Sequence, residues 1–145
     1  FLVEVGGEIF TKGTKGDAPW IVAVEQPSEN QVGIHISFPL TDKALATSGD
    51  YRNYKESNGK RYSHTIDPRT LHPIDHNVAS ISVITDSVIM ADAWATALSV
   101  MGEDEAFRVA EEYDLAIYML IRESDGTFRA RSNASFAEII QQKDP

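Results

Sequence analysis

The chain has 145 residues, of which 42% are hydrophobic and 24% are charged, which is the composition of an ordinary globular domain. Its 13 Lys and Arg residues against 22 Asp and Glu residues give a net charge of −9, which argues against nucleic acid and anionic lipid as partners. Cysteine is absent, which excludes disulfides and thiolate chemistry, and no apolar run approaches the roughly 18 residues that cross a bilayer.

Strands are predicted wherever apolar residues alternate with polar ones or form short runs between turn residues. In chain order, the predicted strands cover residues 1–5, 8–13, 20–25, 32–38, 43–47, 50–55, 60–66, 78–85, 115–122 and 127–131. The segment 8–13 is interpreted as a continuation of the first strand beyond Gly6 and Gly7, where we expect a bulge or a close backbone approach. Asn58-Gly59 and Asp125-Gly126 suit tight turns, so we expect antiparallel hairpins.

Three helices are predicted, over residues 87–101, 104–113 and 134–142. The first is apolar nearly all round and is therefore expected to be largely buried. Its start would be capped by an oxygen from residues 85–87 and its end marked by Gly102. The second helix presents one apolar face, formed by Ala106, Val109, Ala110 and Tyr113.

The third helix would be capped by Ser132 or Asn133. Hairpins with an inserted helix pair and a closing helix place the chain in the α+β class, with an antiparallel sheet. We expect one domain over residues 1–145, since no linker, repeat or low-complexity segment interrupts the sequence.

Asp92 and Thr96 interrupt the apolar first helix, four residues apart and hence one turn apart on the same face. A buried carboxylate is costly unless it is paired, hydrogen-bonded or bound to a metal. Oxygen ligands at this spacing suit a hard cation such as Mg²⁺. Alternatively, Asp92 forms an ion pair with an arginine or caps a neighbouring helix.

His64 stands at the end of a predicted hairpin strand, where an imidazole can act as a general base in a cleft. A structural or merely exposed histidine is the alternative. Asp67-Pro68 directly after it favours an extended or turn geometry. His72 and His76 lie in a Pro-containing loop and are not expected to bind a metal, and His35 is expected to face solvent.

Ser48, Gly49 and Asp50 combine small side chains with a glycine, which leaves backbone N–H groups accessible to a phosphate or a ribose. Ordinary turn chemistry gives the same sequence, so both interpretations stay open. The adjacent hairpin carries a basic cluster, either a solvated face or a rim that faces an anion, composed of Arg52, Lys55, Lys60 and Arg61.

Four motifs occur in one order at compact spacing, and together they resemble the C-terminal half of the flavin transferases of the ApbE family. They are residues 46–51 (ATSGDY), 60–64 (KRYSH), 66–70 (IDPRT) and 91–96 (ADAWAT). Residues 5–9 (VGGEI) are similar to the strand and glycine pair that open that half. The resemblance covers nearly the whole chain and implies an ApbE-like, T-fold-like half. At residue 71 the family pattern usually has glycine, whereas this sequence has Leu71 followed by His72-Pro73.

The resemblance implies Mg²⁺-dependent transfer of FMN from FAD onto a threonine of an acceptor flavoprotein, with release of AMP. Asp92 and Thr96 would be the metal ligands, and His64 would be the base that activates the acceptor threonine. The residues that would line or approach the FAD site are Ser48, Gly49, Asp50, Pro68 and Thr70.

Family chains are considerably longer, and their N-terminal half carries further FAD contacts and another metal ligand. We therefore expect the C-terminal portion of a longer transferase, a chain whose partner half is separate, or a reduced homologue. The sequence starts at Phe1 without Met, so any targeting signal is expected to lie outside it. The resemblance implies a periplasmic protein, or one held by a lipid anchor at the outer face of the inner membrane. The alternatives are a non-catalytic FAD-binding or FAD-scavenging module and a structural domain in which Asp92 is only ion-paired.

Overall fold

The computed structural model describes residues 1–27, 33–49, 54–57 and 60–141, with only the backbone described at residues 54–57 and 60–62. The strands are β1 (Leu2–Val5), β2 (Glu8–Thr11), β3 (Trp20–Glu25), β4 (Ile34–Leu40), β5 (Ala44–Gly49), β6 (Tyr54–Ser57), β7 (Lys60–Ser63), β8 (Ile66–Asp67), β9 (His72–Pro73), β10 (Val78–Thr85), β11 (Ala116–Arg122) and β12 (Phe128–Ser132). The helices are α1 (Val88–Met101), α2 (Glu103–Glu112) and α3 (Ala134–Gln141). The predicted α+β class is confirmed.

Six of the described strands form one antiparallel sheet in the order β1-β2-β5-β10-β11-β12. Strands β10 and β11 are buried along almost their whole length, which explains why both are short, nearly continuous apolar runs in the sequence. The hairpins β3–β4, β6–β7 and β8–β9 pair separately from this sheet. No helix in the described ranges is long and apolar enough to cross a membrane.

The six-stranded sheet is covered on both faces, because successive side chains of a strand point to opposite sides. On one face, Ile81 and Val83 of β10 pack in a core with residues of α1 and α2. On the other face, Ile84 packs in a second core with the β3–β4 hairpin and α3. The rings of Phe38 and Phe136 meet edge to face in this second core, with centroids 5.3 Å apart.

Helix α1 lies close to β5 because the contact is made by alanines. Ala44 and Ala46 of β5 pack against Ala91 of α1, and each of the three is at most 1% exposed. Ser48 is the next residue of β5 on this side, since side chains alternate along a strand. The alanine contact therefore brings the Ser48 hydroxyl to the surface of the helix.

The chain reverses at Gly6 and Gly7, so the predicted continuation of the first strand is wrong. Val5 pairs with Glu8 across a two-residue turn, and β1 and β2 form an antiparallel hairpin. Both glycines have positive φ angles, of 69° and 106°. Two-residue hairpin turns of type I′ require positive φ at both positions, which glycine adopts without strain.

The prediction that α1 is largely buried is also wrong. Its buried residues are Ala91, Ala95, Leu98 and Ser99, all on the side that faces the sheet. In contrast, Ile89 is 80% exposed and Met90 is 48% exposed. The helix ends at Gly102 as predicted. At its start, the side chain of Ser87 makes no capping hydrogen bond. Thr85 Oγ1 instead accepts a hydrogen bond from the Ser87 backbone N–H at 3.3 Å.

Helices α2 and α3 differ little from the predicted ranges. Phe107 is 5% exposed and belongs to the buried face of α2, whereas Tyr113, predicted on that face, follows the end of the helix and is 57% exposed. Asn133 caps α3, because its Oδ1 accepts a hydrogen bond from the Phe136 N–H at 3.1 Å. The choice between Ser132 and Asn133 is thereby decided in favour of Asn133.

His35 is half-buried rather than solvent-facing, and its ring lies 5.9 Å from that of Tyr118. The β3–β4 register shifts at this point, since Val24 pairs with Ile36 while Glu25 pairs with Ile34. A bulge inserts one residue and so breaks the strict alternation on which the prediction depended. The predicted turn at residues 28–30 and the Asn-Gly turn at 58–59 lie outside the described residues.

Candidate functional site

The candidate site forms where the end of β5 meets the middle of α1. Ser48 Oγ and Thr96 Oγ1 lie 3.1 Å apart, within hydrogen-bond distance. Ser99 Oγ donates a hydrogen bond to the Thr96 carbonyl oxygen at 2.8 Å. Thr96 is thus contacted by hydroxyl groups at its side chain and at its backbone, although the two contacting residues are 51 positions apart in the sequence.

Asp92 lies one turn before Thr96 and is exposed, so the expectation of a buried carboxylate is wrong. Within the part of the chain that the structure describes, Asp92 has no ion-pair partner. The exposed side of α1 therefore presents a carboxylate and a hydroxyl on one face.

The Asp92 carboxylate and the Thr96 hydroxyl suit Mg²⁺ as two of several oxygen ligands, and not as a complete set. Among the described residues, no group of three or more His, Cys, Asp or Glu side chains could hold a metal ion. Mg²⁺, however, is commonly bound through one or two carboxylates together with waters and substrate phosphates. The donors present therefore fit a cation that is held jointly with a phosphate-bearing substrate, and they do not form a closed protein cage.

Two cavities lie on the Ser48 side of this site, and the lining of neither includes Asp92 or Thr96. The smaller one is lined by Ser48 and Gly49 together with Thr65, Ile74, Ser80 and Ser99. The larger one has a volume of about 510 Å³, and Ile74 lines it as well. Its polar lining comes from the β8–β9 hairpin and the residues that follow it, and includes Asp67, Arg69, Thr70, His72 and His76.

The predicted residues between His64 and Thr70 lie at these cavities or beside them. His64 is exposed and immediately precedes Thr65, whose backbone N–H donates to Ser63 Oγ at 3.1 Å. Thr70 lines the larger cavity, whereas Pro68 is an exposed turn residue that is not among the lining residues. Asp50 lies outside the described residues, as do the side chains of the predicted basic cluster.

Asp67 organises the turn that follows β8. Its Oδ1 accepts a hydrogen bond from the Arg69 backbone N–H at 2.8 Å, and its carboxylate also accepts hydrogen bonds from the Arg69 guanidinium. The side-chain hydrogen bonds from Arg69 hold the pKa of Asp67 below its ordinary value of 3.8. Arg69 was not predicted to contribute to this site, although its position two residues after Asp67 was a usable signal for a local Asp–Arg pair.

Leu71 completes this turn in an unusual backbone conformation. Its φ angle is +60°, and its backbone N–H donates to the Asp67 carbonyl oxygen at 2.8 Å. This is the left-handed region, which favours glycine and disfavours residues with a Cβ atom. The side chain is 78% exposed, so leucine occupies this turn position without burying its side chain.

Residues 1–119 match the sequence profile of the ApbE family. The chain belongs to the ApbE family. The resemblance inferred from the four motifs is thereby confirmed. The chain is 41% identical over 146 aligned residues to the FAD:protein FMN transferase of Haemophilus influenzae, and 43% identical over 143 residues to that of Vibrio cholerae.

Solved ApbE structures have the same fold. The flavinyl transferase ApbE of Pseudomonas stutzeri, in its apo form, superimposes with a TM-score of 0.82 at 39% sequence identity over 99% of this chain. The chain spans 44% of that ApbE structure and 42% of each of the two curated relatives. The comparisons therefore relate this chain to about two-fifths of an ApbE protein.

Proposed function

We propose that this chain supplies the metal-binding and base residues for Mg²⁺-dependent transfer of FMN from FAD onto a threonine of an acceptor flavoprotein. The observation that carries the proposal is the 3.1 Å contact between Ser48 and Thr96. Ser48 belongs to the motif expected to bind FAD and Thr96 to the motif expected to bind the metal, so the contact brings these two motifs together. Membership of a family whose relatives are named FAD:protein FMN transferases supports the same reaction.

In the proposed reaction, the hydroxyl oxygen of the acceptor threonine attacks the phosphorus of the FMN phosphoryl group of FAD. A new phosphorus–oxygen bond to the threonine forms, and the bond from that phosphorus to the phosphate of AMP breaks. His64 takes the proton from the attacking hydroxyl, and AMP leaves with its own phosphate. An imidazole suits this step because its unperturbed pKa lies near neutrality.

Charge is the second element of the proposal, because a chain with a net charge of −9 would repel a pyrophosphate. Asp92 and Thr96 would hold Mg²⁺, which when bound neutralises the phosphate charge that develops during phosphoryl transfer. The exposed position of both residues leaves room for phosphate oxygens beside the two protein ligands. Ser48 and Gly49 would then line the adjacent part of the FAD site.

Intact-mass spectrometry tests the proposal directly. An acceptor protein that carries the target threonine is incubated with this chain, FAD and Mg²⁺. The expected product is an acceptor heavier by one FMN moiety, and EDTA should abolish its formation. His64→Ala should lower its rate by at least about 100-fold, since general acid–base groups typically contribute 10² to 10⁴. Asp92→Asn should also lower the rate, because a neutral amide replaces the anionic oxygen donor of the proposed metal site.

Two control variants separate these roles from general damage to the fold. His35→Ala changes a histidine on the opposite side of the sheet, and Asp104→Asn removes an exposed carboxylate from α2. Both should retain the transfer rate. Mg²⁺-dependent FAD binding without any transfer would instead support the alternative of a non-catalytic FAD-binding module, and loss of both would contradict a flavin function for this chain.

The cellular location is part of the proposal and is supported by the family resemblance alone. We expect a periplasmic protein, or one held by a lipid anchor at the outer face of the inner membrane. Fractionation of the producing cells, followed by immunoblotting of the periplasmic and membrane fractions, tests this expectation. Recovery in the cytosolic fraction would contradict it.

A further inference from the structure

We infer that Ser48 is a positioning residue that fixes the side chain of Thr96 for binding a divalent cation. The inference rests on the proposed function, because it assumes that Asp92 and Thr96 hold the metal. It differs from the sequence-based expectation, in which Ser48 only lines the FAD site. Three observations on α1 and β5 support it.

The first observation concerns the side-chain rotamers that a threonine can adopt within a helix. Thr96 can turn its hydroxyl back to the carbonyl oxygen of the preceding turn, which Asp92 provides, or away from it. The two orientations are normally both populated. Ser48 Oγ lies 3.1 Å from Thr96 Oγ1 and thereby stabilises one of them.

The second observation concerns the proton of the Thr96 hydroxyl. A neutral hydroxyl has one proton and two lone pairs, and a metal ligand must direct a lone pair at the cation. The proton then needs an acceptor on another side of the oxygen. Ser48 Oγ can accept it, so a metal-facing lone pair and a satisfied proton become compatible.

The third observation is that close packing and a further hydrogen bond surround this contact. Ala44 and Ala46 hold α1 against β5 through Ala91, which fixes the distance between strand and helix. Ser99 Oγ donates to the Thr96 carbonyl oxygen at 2.8 Å and fixes the backbone at the same residue. Residues that orient metal ligands in this way typically change metal affinity or activity by 10- to 100-fold when they are removed.

The test measures metal binding rather than turnover. Mn²⁺ is used as the probe, and its free concentration is followed by the EPR signal of the aquo ion during titration of the chain in the presence of FAD. Ser48→Ala retains a small side chain against α1 but removes the hydroxyl, and we expect Mn²⁺ affinity to fall by about 10-fold. Thr96→Val and Asp92→Asn remove the proposed ligands themselves and should reduce binding further.

Ser82→Ala is the matched control. Ser82 Oγ lies 2.7 Å from Thr47 Oγ1, so this variant also removes a hydroxyl pair involving β5, but on the opposite face of the sheet from α1. It should lower the melting temperature at least as much as Ser48→Ala does, because both atoms of its pair are part-buried, and it should leave Mn²⁺ affinity unchanged.

The outcomes distinguish a failure of the positioning role of Ser48 from a failure of the proposed metal site. Residues that position a metal ligand typically change affinity by about 10-fold. If Thr96→Val weakens Mn²⁺ binding but Ser48→Ala changes it by less than about 2-fold, the positioning role of Ser48 is wrong, while the proposed metal site is retained. If Ser82→Ala weakens binding as much as Ser48→Ala does, the effect is general and the positioning role is again wrong. If Thr96→Val and Asp92→Asn both bind Mn²⁺ normally, the proposed metal site is wrong and the inference about Ser48 falls with it.

Discussion

Arg69 Nη1 donates a hydrogen bond to Glu105 Oε2 at 3.1 Å, which ties the turn after β8 to the first turn of α2. The same guanidinium donates to Asp67 through Nε and Nη2. One arginine thus holds the wall of the larger cavity by joining two carboxylates from separate elements. Such a fork geometry is specific to arginine and is not reproduced by lysine.

Replacement of Arg69 is expected to change the titration of Asp67. The folded-state pKa of Asp67 lies below 3.8, mainly because of the side-chain hydrogen bonds from Arg69. Its contribution to stability is therefore present above about pH 3.8 and is lost as the pH falls through the lowered pKa. In Arg69→Gln the pKa of Asp67 should rise toward 3.8, as measured by NMR titration of its carboxyl carbon.

The same measurement has a matched control on α2. Arg108 pairs with Glu112 at 3.0 Å and is exposed, so Arg108→Gln removes a cation without touching the turn. It should leave the pKa of Asp67 unchanged. An unaltered Asp67 titration in Arg69→Gln would contradict the role assigned to the guanidinium.

Leu71→Gly is expected to stabilise the protein by about 1 kcal/mol, because glycine adopts a positive φ angle without the steric cost that leucine bears. The loss of an exposed side chain costs little in packing. Urea denaturation measures the difference in free energy of unfolding. Leu71→Ala is the control, since alanine also has a Cβ atom, and it should lie within about 0.5 kcal/mol of the wild type.

Asn133→Ala is expected to destabilise the fold by about 1 to 3 kcal/mol. The Asn133 side chain caps α3 and also bonds the backbone at the start of β11, where Oδ1 accepts from Ile117 N–H at 3.1 Å and Nδ2 donates to Leu115 O at 2.6 Å. Asn133→Asp keeps the two accepted bonds and loses the donated one, so its loss of stability should be smaller. Equal losses in the two variants, measured by thermal denaturation, would contradict the capping role.

The two sides of α1 should respond differently to substitution. Leu98 is fully buried in the core beneath α1, and Leu98→Ala should cost about 2 to 5 kcal/mol. Ile89 is 80% exposed, so Ile89→Ser should change the free energy of unfolding by no more than about 0.5 kcal/mol. Chemical denaturation of both variants measures the contrast, and a large loss in Ile89→Ser would show that its side chain is covered in solution.

The sequence predicted regular elements best where one local signal was sufficient. The ranges of β3 and β10 were predicted to the residue, because apolar runs bounded by turn residues define them. The end of α1 at Gly102 was also predicted correctly. Glycine adopts positive φ angles readily, and Gly102 has a φ angle of 80° in the structure. Local chemistry and tertiary structure agree at these places.

The prediction failed where neighbours in space decided the outcome. Asp92 was placed in a buried environment because the residues around it are apolar, but burial depends on which side of a helix faces the sheet. Alanine contributes to an apolar pattern without requiring burial, so the composition of α1 overstated its contact with the core. The bulge at His35 was not predictable either, because it depends on the pairing of β4 with β3.

The candidate site was predictable as a set of residues but not as an arrangement. Ser48 and Thr96 were identified from separate motifs, and nothing in the sequence indicated that their hydroxyl groups meet. That contact depends on the antiparallel register of β5 and β10 and on the crossing of α1 over both strands. It is a property of the folded sheet.

Strand β5 carries two successive hydroxyl residues whose partners lie on opposite faces of the sheet, with Thr47 contacting Ser82 and Ser48 contacting Thr96. A slip of one residue between β5 and β10 would exchange the two faces and destroy both contacts at once. A divalent cation that bound at Asp92 and Thr96 would have both of these ligands on α1, so it would distinguish the two registers only through the contact of Ser48 with Thr96. If bound there, the cation would stabilise the correctly paired sheet over the slipped one by no more than the roughly 10-fold in affinity expected from Ser48, so its contribution to the choice of strand register would be small.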